Sequence, residues 1–270
     1  MTRSELLSFK LVNALLDALS RFGKRPASDV GAQEWAPKQG LKFNPVTRFD
    51  VVAEASAFNA LKLIWPSAVL QAEEVWAGAR SASMAWVLDP IDGTRAFVCG
   101  SPVWGRVLAM CRDGCIQLGA VDHPVIGERL VAVGGQTYYR RGDGAFGALK
   151  VVSQAKRLEA CVLATSSVAL MPASAKAAFL DVSSRALHVV HDYDCYAFTL
   201  LVKGKVDAVV EFGLKPCDFA GLVPVLASAG CQVLDWHGRA VGFSPNIIAV
   251  RSAEVGSLIA GAVAHALKAV

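Results

Sequence analysis

The sequence predicts a mixed α and β protein, with an antiparallel sheet in its first half and a mixed sheet covered by helices in its second. Three observations carry that expectation. Between residues 68 and 133, short apolar runs follow one another with turn signals such as Arg112-Asp113-Gly114 and Asp122-His123-Pro124 between them, the pattern of adjacent antiparallel strands. Between residues 161 and 269, strand-like runs alternate with helical spacing, the pattern of a mixed sheet packed under helices. Of the 270 residues 54% are hydrophobic, enough to bury roughly 75% of the unfolded surface in one large core or two fused halves.

Residues 4–21 set Leu, Phe and Val at helical spacing among polar and charged residues, which predicts a helix and lacks the unbroken apolar core of a signal peptide. A second helix is expected over 49–65, closed by Pro66. Strands follow at 68–70, 84–88, 103–111, 115–121 and 129–133. The Gly- and Arg-rich stretch 134–147 reads as a junction anchored by Tyr138, Tyr139 and Phe146, dividing the chain into halves 1–145 and 146–270 with no compositional linker. In the second half, strands are expected at 161–165, 186–190, 206–212, 231–235 and 247–250, and helices at 172–180, 194–202, 218–229 and 253–269. No internal repeat or low-complexity tract is visible.

Composition excludes several functions. Net charge is only +4 and the basic residues are scattered, with no stripe to follow a nucleic-acid backbone. The uncharged stretch 219–234, which none exceeds in length, is short for a membrane span and contains Gly221, Pro224 and Gly230. Seven cysteines, an odd number without a Cys-x-x-Cys pair, point to a reducing cytoplasm and to small apolar core filler. Cys195 and Cys217 stand apart because each adjoins a candidate site residue. His188 and His191 fall on opposite faces of an expected strand, which argues against zinc there.

The most informative segment is 86–97, where an apolar strand runs into Asp89, Pro90, Asp92, Gly93 and Thr94. Pro90 is expected to stop the strand, presenting both carboxylates at its carboxyl end. Mg²⁺ is usually held by one or two carboxylates plus substrate phosphate oxygens, and Gly93 with Thr94 offers backbone N–H groups to a phosphate. Asp-x-x-Asp-Gly is also ordinary turn chemistry. Three other acidic segments accompany it: Asp50 with Glu54, Glu73 with Glu74, and Asp218 seven residues after Glu211. Each has a plainer reading, respectively a solvated helix face, a surface pair and a helix N-cap.

Four acidic segments in this order, from about Pro45 to Asn246, resemble the inositol monophosphatase superfamily of Mg²⁺-dependent phosphatases. Arg95-Ala96-Phe97 after the Asp-Gly-Thr turn, Asp194-Cys195-Tyr196-Ala197-Phe198 and Leu214-Lys215-Pro216 are most similar to its histidinol-phosphate phosphatase branch. The resemblance implies the layered α-β-α-β-α sugar-phosphatase sandwich, an α+β or α/β fold with an antiparallel sheet first and a smaller mixed sheet second. It implies metal ligands at Glu73, Asp89, the Ile91 carbonyl, Asp92 and Asp218, holding two or three Mg²⁺ with Asp89 as a bridge.

The same resemblance puts Gly93 and Thr94 on a phosphate-contacting turn, with Asp50 and the Thr94 hydroxyl orienting and deprotonating the attacking water. It also places Glu211, Asp194 and Arg95 around a small phosphorylated substrate, with inositol or other sugar phosphates as the alternative to histidinol phosphate. A non-enzymatic regulatory protein is the alternative of another class. A homodimer is common among relatives, and the resemblance implies one here. Two departures stand out: Ala72 replaces a usual Gly, and Cys217 replaces a common aromatic beside the last ligand. The expected site lysine is Lys38 or Lys42.

Overall fold

The computed structural model describes residues 1–19, 35–37, 45–67, 69–72, 84–151, 155–241 and 244–268. They form two compact units, Met1–Ala148 with Cys217–Val225, and Leu149–Pro216 with Leu226–Val270. The segment carrying Asp218, which the sequence division puts in the second half, therefore packs with the first.

The first unit begins with α1 (Arg3–Leu19), the paired short strands β1 (Trp35–Pro37) and β2 (Pro45–Thr47), and α2 (Arg48–Ile64). There follow β3 (Val69–Ala72), β4 (Met84–Asp92), α3 (Thr94–Val98), β5 (Gly105–Arg112), β6 (Cys115–His123), β7 (Glu128–Val133), β8 (Gln136–Arg141) and β9 (Gly147–Leu149). Strands β3 to β9 make one sheet in chain order; β3 and β4 are parallel, and the pairs from β4 to β8 antiparallel. Asp113 and Gly114 both have positive φ, as do Gly134 and Gly135, so two hairpins close through two-residue turns whose twist matches that of the strands. The stretch 134–147, expected as a junction, thus supplies a turn and a further strand, and Tyr138 and Phe146 pack against Phe9 of α1.

The period of two in β4 assigns its faces. Trp86 and Leu88 enter the core with Val12, Leu15 and Leu16 of α1 and Ala57 and Leu61 of α2. Val87 lies on the other face with Ala109, Cys217 and Ala220, and Asp89 shares its parity. Helix α1 is also tied down by charge: Arg106, Asp122 and Arg129 are successive cross-strand neighbours. Both arginines donate to Asp122, and they reach onward to the Leu19 carbonyl at 2.8 Å and to Asn13 Oδ1 at 2.9 Å.

The second unit contains β10 (Val162–Thr165), α4 (Ala173–Ser184), β11 (His188–His191), α5 (Cys195–Val202) and β12 (Ala208–Glu211). After α6 (Pro216–Ala220) and α7 (Leu222–Ala229) come β13 (Gln232–Asp235), β14 (Ile247–Val250) and α8 (Ala253–Lys268). Its sheet runs β11-β10-β12-β14-β13, parallel across the first three strands and antiparallel beyond, under Phe179 and Val182 of α4 and Val255, Ile259 and Val263 of α8.

Two boundaries differ from expectation. Pro90 does not stop β4; the strand continues to Asp92 across a register irregularity, where Pro90 needs no ladder N–H. The helix expected over 218–229 is two helices broken at Gly221, whose backbone lies against that of Leu108 on β5, leaving no room for a Cβ. Pro224 falls in the first turn of α7, where its missing N–H costs no helical bond. Among the described residues no helix is long and apolar enough to cross a membrane.

Candidate active site

At the end of β4, Asp89 pairs with Val107 and Asp92 with Gly105, so β4 has one more residue than β5 over this interval. That bulge turns the chain. Asp89 is buried, and its Oδ1 accepts the Ile91 N–H at 3.0 Å. Gly93 then takes φ 83° and ψ 42°, a left-handed conformation natural to glycine, and α3 begins at Thr94. The Thr94 hydroxyl donates to the Ile91 carbonyl at 3.1 Å. A carbonyl oxygen has two lone pairs, so this bond leaves Ile91 able to accept a second partner. Asp92, Gly93, Thr94 and Arg95 are all partly exposed on this turn.

Asp50 is held by a device that the acidic pattern alone does not reveal. Thr47 caps α2, and Asp50 closes a capping box: its Oδ2 accepts the Thr47 N–H at 2.7 Å and the Thr47 hydroxyl at 2.6 Å. The Thr-x-x-Asp spacing at 47–50 is the signal that could have found it. Asp50 is 1% exposed and Glu54 4%, so the alternative of a solvated acidic face fails. The start of α2 is held against α3 by aromatic edges, Phe49 on Phe97 at 5.7 Å between ring centroids and Phe97 on Trp104 at 5.1 Å. Asp50 and Thr94 therefore sit on helix starts that share one aromatic cluster.

Asp218 lies in the short helix α6, on the sheet face shared by Val87 and Ala109. Among the described residues, Asp89, Cys217 and Asp218 form a group of possible metal donors whose ligand atoms all lie within 4.8 Å of one another. The Cys217 thiol donates to Asp218 Oδ1 at 3.3 Å. Two carboxylates gathered from distant segments at a buried strand end fit a hard divalent cation, and Asp92 follows on the same turn. Glu73, with Glu74, Lys38 and Lys42, lies outside the described residues.

The other candidates belong to the second unit. Glu211, the last residue of β12, is buried, and its Oε1 accepts the Ser166 N–H at 2.7 Å and the Ser166 hydroxyl at 2.9 Å. Asp194 occupies the N-cap position of α5 at φ 43° and ψ −135°, with no side-chain capping bond, so the plain capping reading fails. A non-glycine residue held at positive φ is strained backbone. Tyr193 and Tyr196 stack beside it at 6.3 Å. Ser166 carried no signal in the sequence, because a serine after a strand is common turn material.

A model of the inositol monophosphatase family matches residues 9–269. The chain is 34% identical over 223 residues to the bifunctional phosphatase IMPL2, chloroplastic, of Arabidopsis thaliana, covering 78% of this chain and 63% of that one. It therefore spans less than two thirds of that relative's length. It is 29% identical over 206 residues to a histidinol-phosphatase of Chlorobaculum parvum, covering 72% and 74% of the two chains. The fold superposes on an inositol monophosphatase from Zymomonas mobilis with a TM-score of 0.76 at 28% identity, covering 97% of each chain.

Proposed function

The chain belongs to the inositol monophosphatase family, and we propose that it is a phosphomonoesterase that hydrolyses histidinol phosphate with Mg²⁺. The observation that carries the chemistry is the convergence of Asp89 and Asp218 beside the Gly93-Thr94 turn. In this reading Asp89, Asp92, Asp218, Glu73 and the Ile91 carbonyl hold the cations. Bound there, Mg²⁺ supplies positive charge to the phosphoryl oxygens and acidifies water. Gly93 and Thr94 present backbone N–H groups to the phosphate.

The Thr94 hydroxyl orients the attacking water, and Asp50 accepts the proton. A threonine hydroxyl alone is a feeble base, and a carboxylate behind it makes the relay effective. The capping box supports this role, because it fixes the Asp50 carboxylate by two short hydrogen bonds at Oδ2.

The choice of alcohol rests on charge. Histidinol carries an ammonium and an imidazole, and Glu211 and Asp194 are the carboxylates assigned to it, with Arg95 at the phosphate side. The Ser166 bonds fix Glu211 in one orientation, as a specificity residue requires. The sequence Arg95-Ala96-Phe97 and the likeness to a histidinol-phosphatase support the same substrate. Seven cysteines, an odd number without a Cys-x-x-Cys pair, are the reason for assigning a reducing cytoplasm as the compartment.

Phosphate release from histidinol phosphate, inositol 1-phosphate, fructose 1,6-bisphosphate and an adenosine bisphosphate, with and without Mg²⁺, tests the proposal. The highest kcat/KM is expected for histidinol phosphate, and only with Mg²⁺. A preference for inositol 1-phosphate overturns the substrate, and no release from any of the four overturns catalysis in favour of a binding role.

A further inference from the structure

Of the three donors that meet at the end of β4, Mg²⁺ chemistry uses two. We propose that Cys217 is a third metal donor, so that the site also takes a thiophilic divalent cation of the Zn²⁺ class, through Asp89, Cys217 and Asp218, in competition with Mg²⁺. This inference rests on the reading of the site as a Mg²⁺ centre.

The three donors are near enough to be gathered by one ion. Two ligands of a single zinc are separated by at most the sum of their bond lengths, roughly 4.5 Å for a thiolate and a carboxylate. The three donor atoms lie within 4.8 Å of one another, and side-chain adjustments on the order of 1 Å bring all three to the roughly 3.5 Å separations of a tetrahedral zinc. Sγ is on the correct side: it contacts Asp218 Oδ1 at 3.3 Å, and Cys217 is packed with Val87, Ala109 and Ala220 on the sheet face that Asp89 shares by parity.

The chemistry follows from donor softness. Carboxylate, carbonyl and water suit Mg²⁺, whereas a thiolate selects zinc and softer ions. A thiol beside the two carboxylates makes this a mixed oxygen and sulfur site rather than a purely hard oxygen one. On coordination the thiol loses its proton to solvent and the sulfur binds as thiolate.

Cd²⁺ is the probe, because its thiolate complexes absorb in the ultraviolet by charge transfer. Titrated into the metal-stripped full-length protein, Cd²⁺ is expected to give a saturable band that excess Mg²⁺ removes. The Mg²⁺-displaceable part of the band should be absent from Cys217→Ser and from Cys217→Ala, the second variant guarding against a misfolded first, and weakened in Asp89→Asn. The exposed thiols Cys99 and Cys115 contribute equally to all four proteins, so the difference isolates Cys217. By calorimetry, the ratio of Zn²⁺ to Mg²⁺ affinity should fall by roughly tenfold or more in Cys217→Ser.

A band in Cys217→Ser equal to that of wild type, or a wild-type band of which Mg²⁺ displaces no part, overturns the proposal. Mg²⁺-dependent phosphate release by wild type separates the two ideas. Release together with a Cys217-independent band removes only the thiol ligand, whereas absence of both release and Mg²⁺ competition removes the Mg²⁺ reading as well.

Discussion

Gly119 of β6 and Gly221, at the break between α6 and α7, approach so closely that a Cβ on Gly119 would overlap the Gly221 carbonyl oxygen. A Cβ on Gly221 would in turn run into the backbone of Leu108 on β5. Three backbones are thus in contact without side chains between them. Thr137 of β8 adds a hydrogen bond from its hydroxyl to the Val225 carbonyl at 2.7 Å. This close packing seats α6 on the sheet and brings Asp218 to Asp89.

Gly221→Ala should therefore destabilise the protein and weaken the metal site together. Overpacking against rigid backbone costs about 1 to 3 kcal/mol or more, a fall in Tm of roughly 2–4 °C for each kcal/mol. Gly261→Ala is the contrasting control. It sits in α8 with open space within 4 Å of where a Cβ would stand, and alanine there should gain about 0.5 to 1 kcal/mol. Thermal melts with and without Mg²⁺ check both. A Gly221→Ala protein with wild-type Tm and wild-type Mg²⁺ response would show that α6 is not seated by this contact.

Asp89→Asn should abolish turnover and leave the fold in place. Asp89 is buried and close to Asp218, so removing its charge in the absence of metal relieves like-charge repulsion. In chelator the variant should melt no lower than wild type. With Mg²⁺, wild type gains stability by mass action, about 2.7 kcal/mol at a hundred times Kd, and the variant should gain far less. Turnover within tenfold of wild type would contradict a ligand role for Asp89.

Thr94→Ala should lower kcat much more than it raises KM, because the hydroxyl is assigned to the attacking water. General-base assistance is worth roughly 10² to 10⁴ in rate. Thr47→Ala offers a second view of the same relay. It removes the hydroxyl half of the capping box, at a cost of about 1 kcal/mol in stability, and leaves the Asp50 carboxylate held by the backbone N–H of residue 47 without the second bond, so kcat should fall while KM stays near wild type. A loss confined to KM in Thr94→Ala would make it a phosphate-binding residue only.

The parts of this molecule that were legible in the sequence are those governed by local periodicity and by the order of acidic segments. The apolar run ending at Asp89 and the alternation of strand and helix after Cys161 could be read directly, since burial on one face imposes a period of two or 3.6 on the residues themselves. What depended on distant backbone was not legible. Gly221 looks like one small residue inside a helical run until Leu108 is seen against it. Pro90 looks like a stop until the bulge supplies a place where its missing N–H is unneeded. The resemblance already joins Asp89 and Asp218 in one metal site across about 130 positions, but no spacing rule brings the Cys217 thiol to both carboxylates.

Glu211→Gln combined with Asp194→Asn should change substrate choice. A charge-assisted hydrogen bond contributes roughly 1.5 to 3 kcal/mol, so kcat/KM for histidinol phosphate should fall about tenfold or more. Hydrolysis of glycerol 2-phosphate, whose alcohol is neutral, should fall much less. Ser166→Ala refines the test, because it removes one of the two bonds that orient Glu211 without touching its charge, and it should weaken histidinol phosphate selectivity by less than the double variant does. Equal losses on both substrates would make Glu211 and Asp194 part of the general architecture of their unit. That outcome would leave the phosphomonoesterase standing and remove the physical reason for assigning it a cationic alcohol.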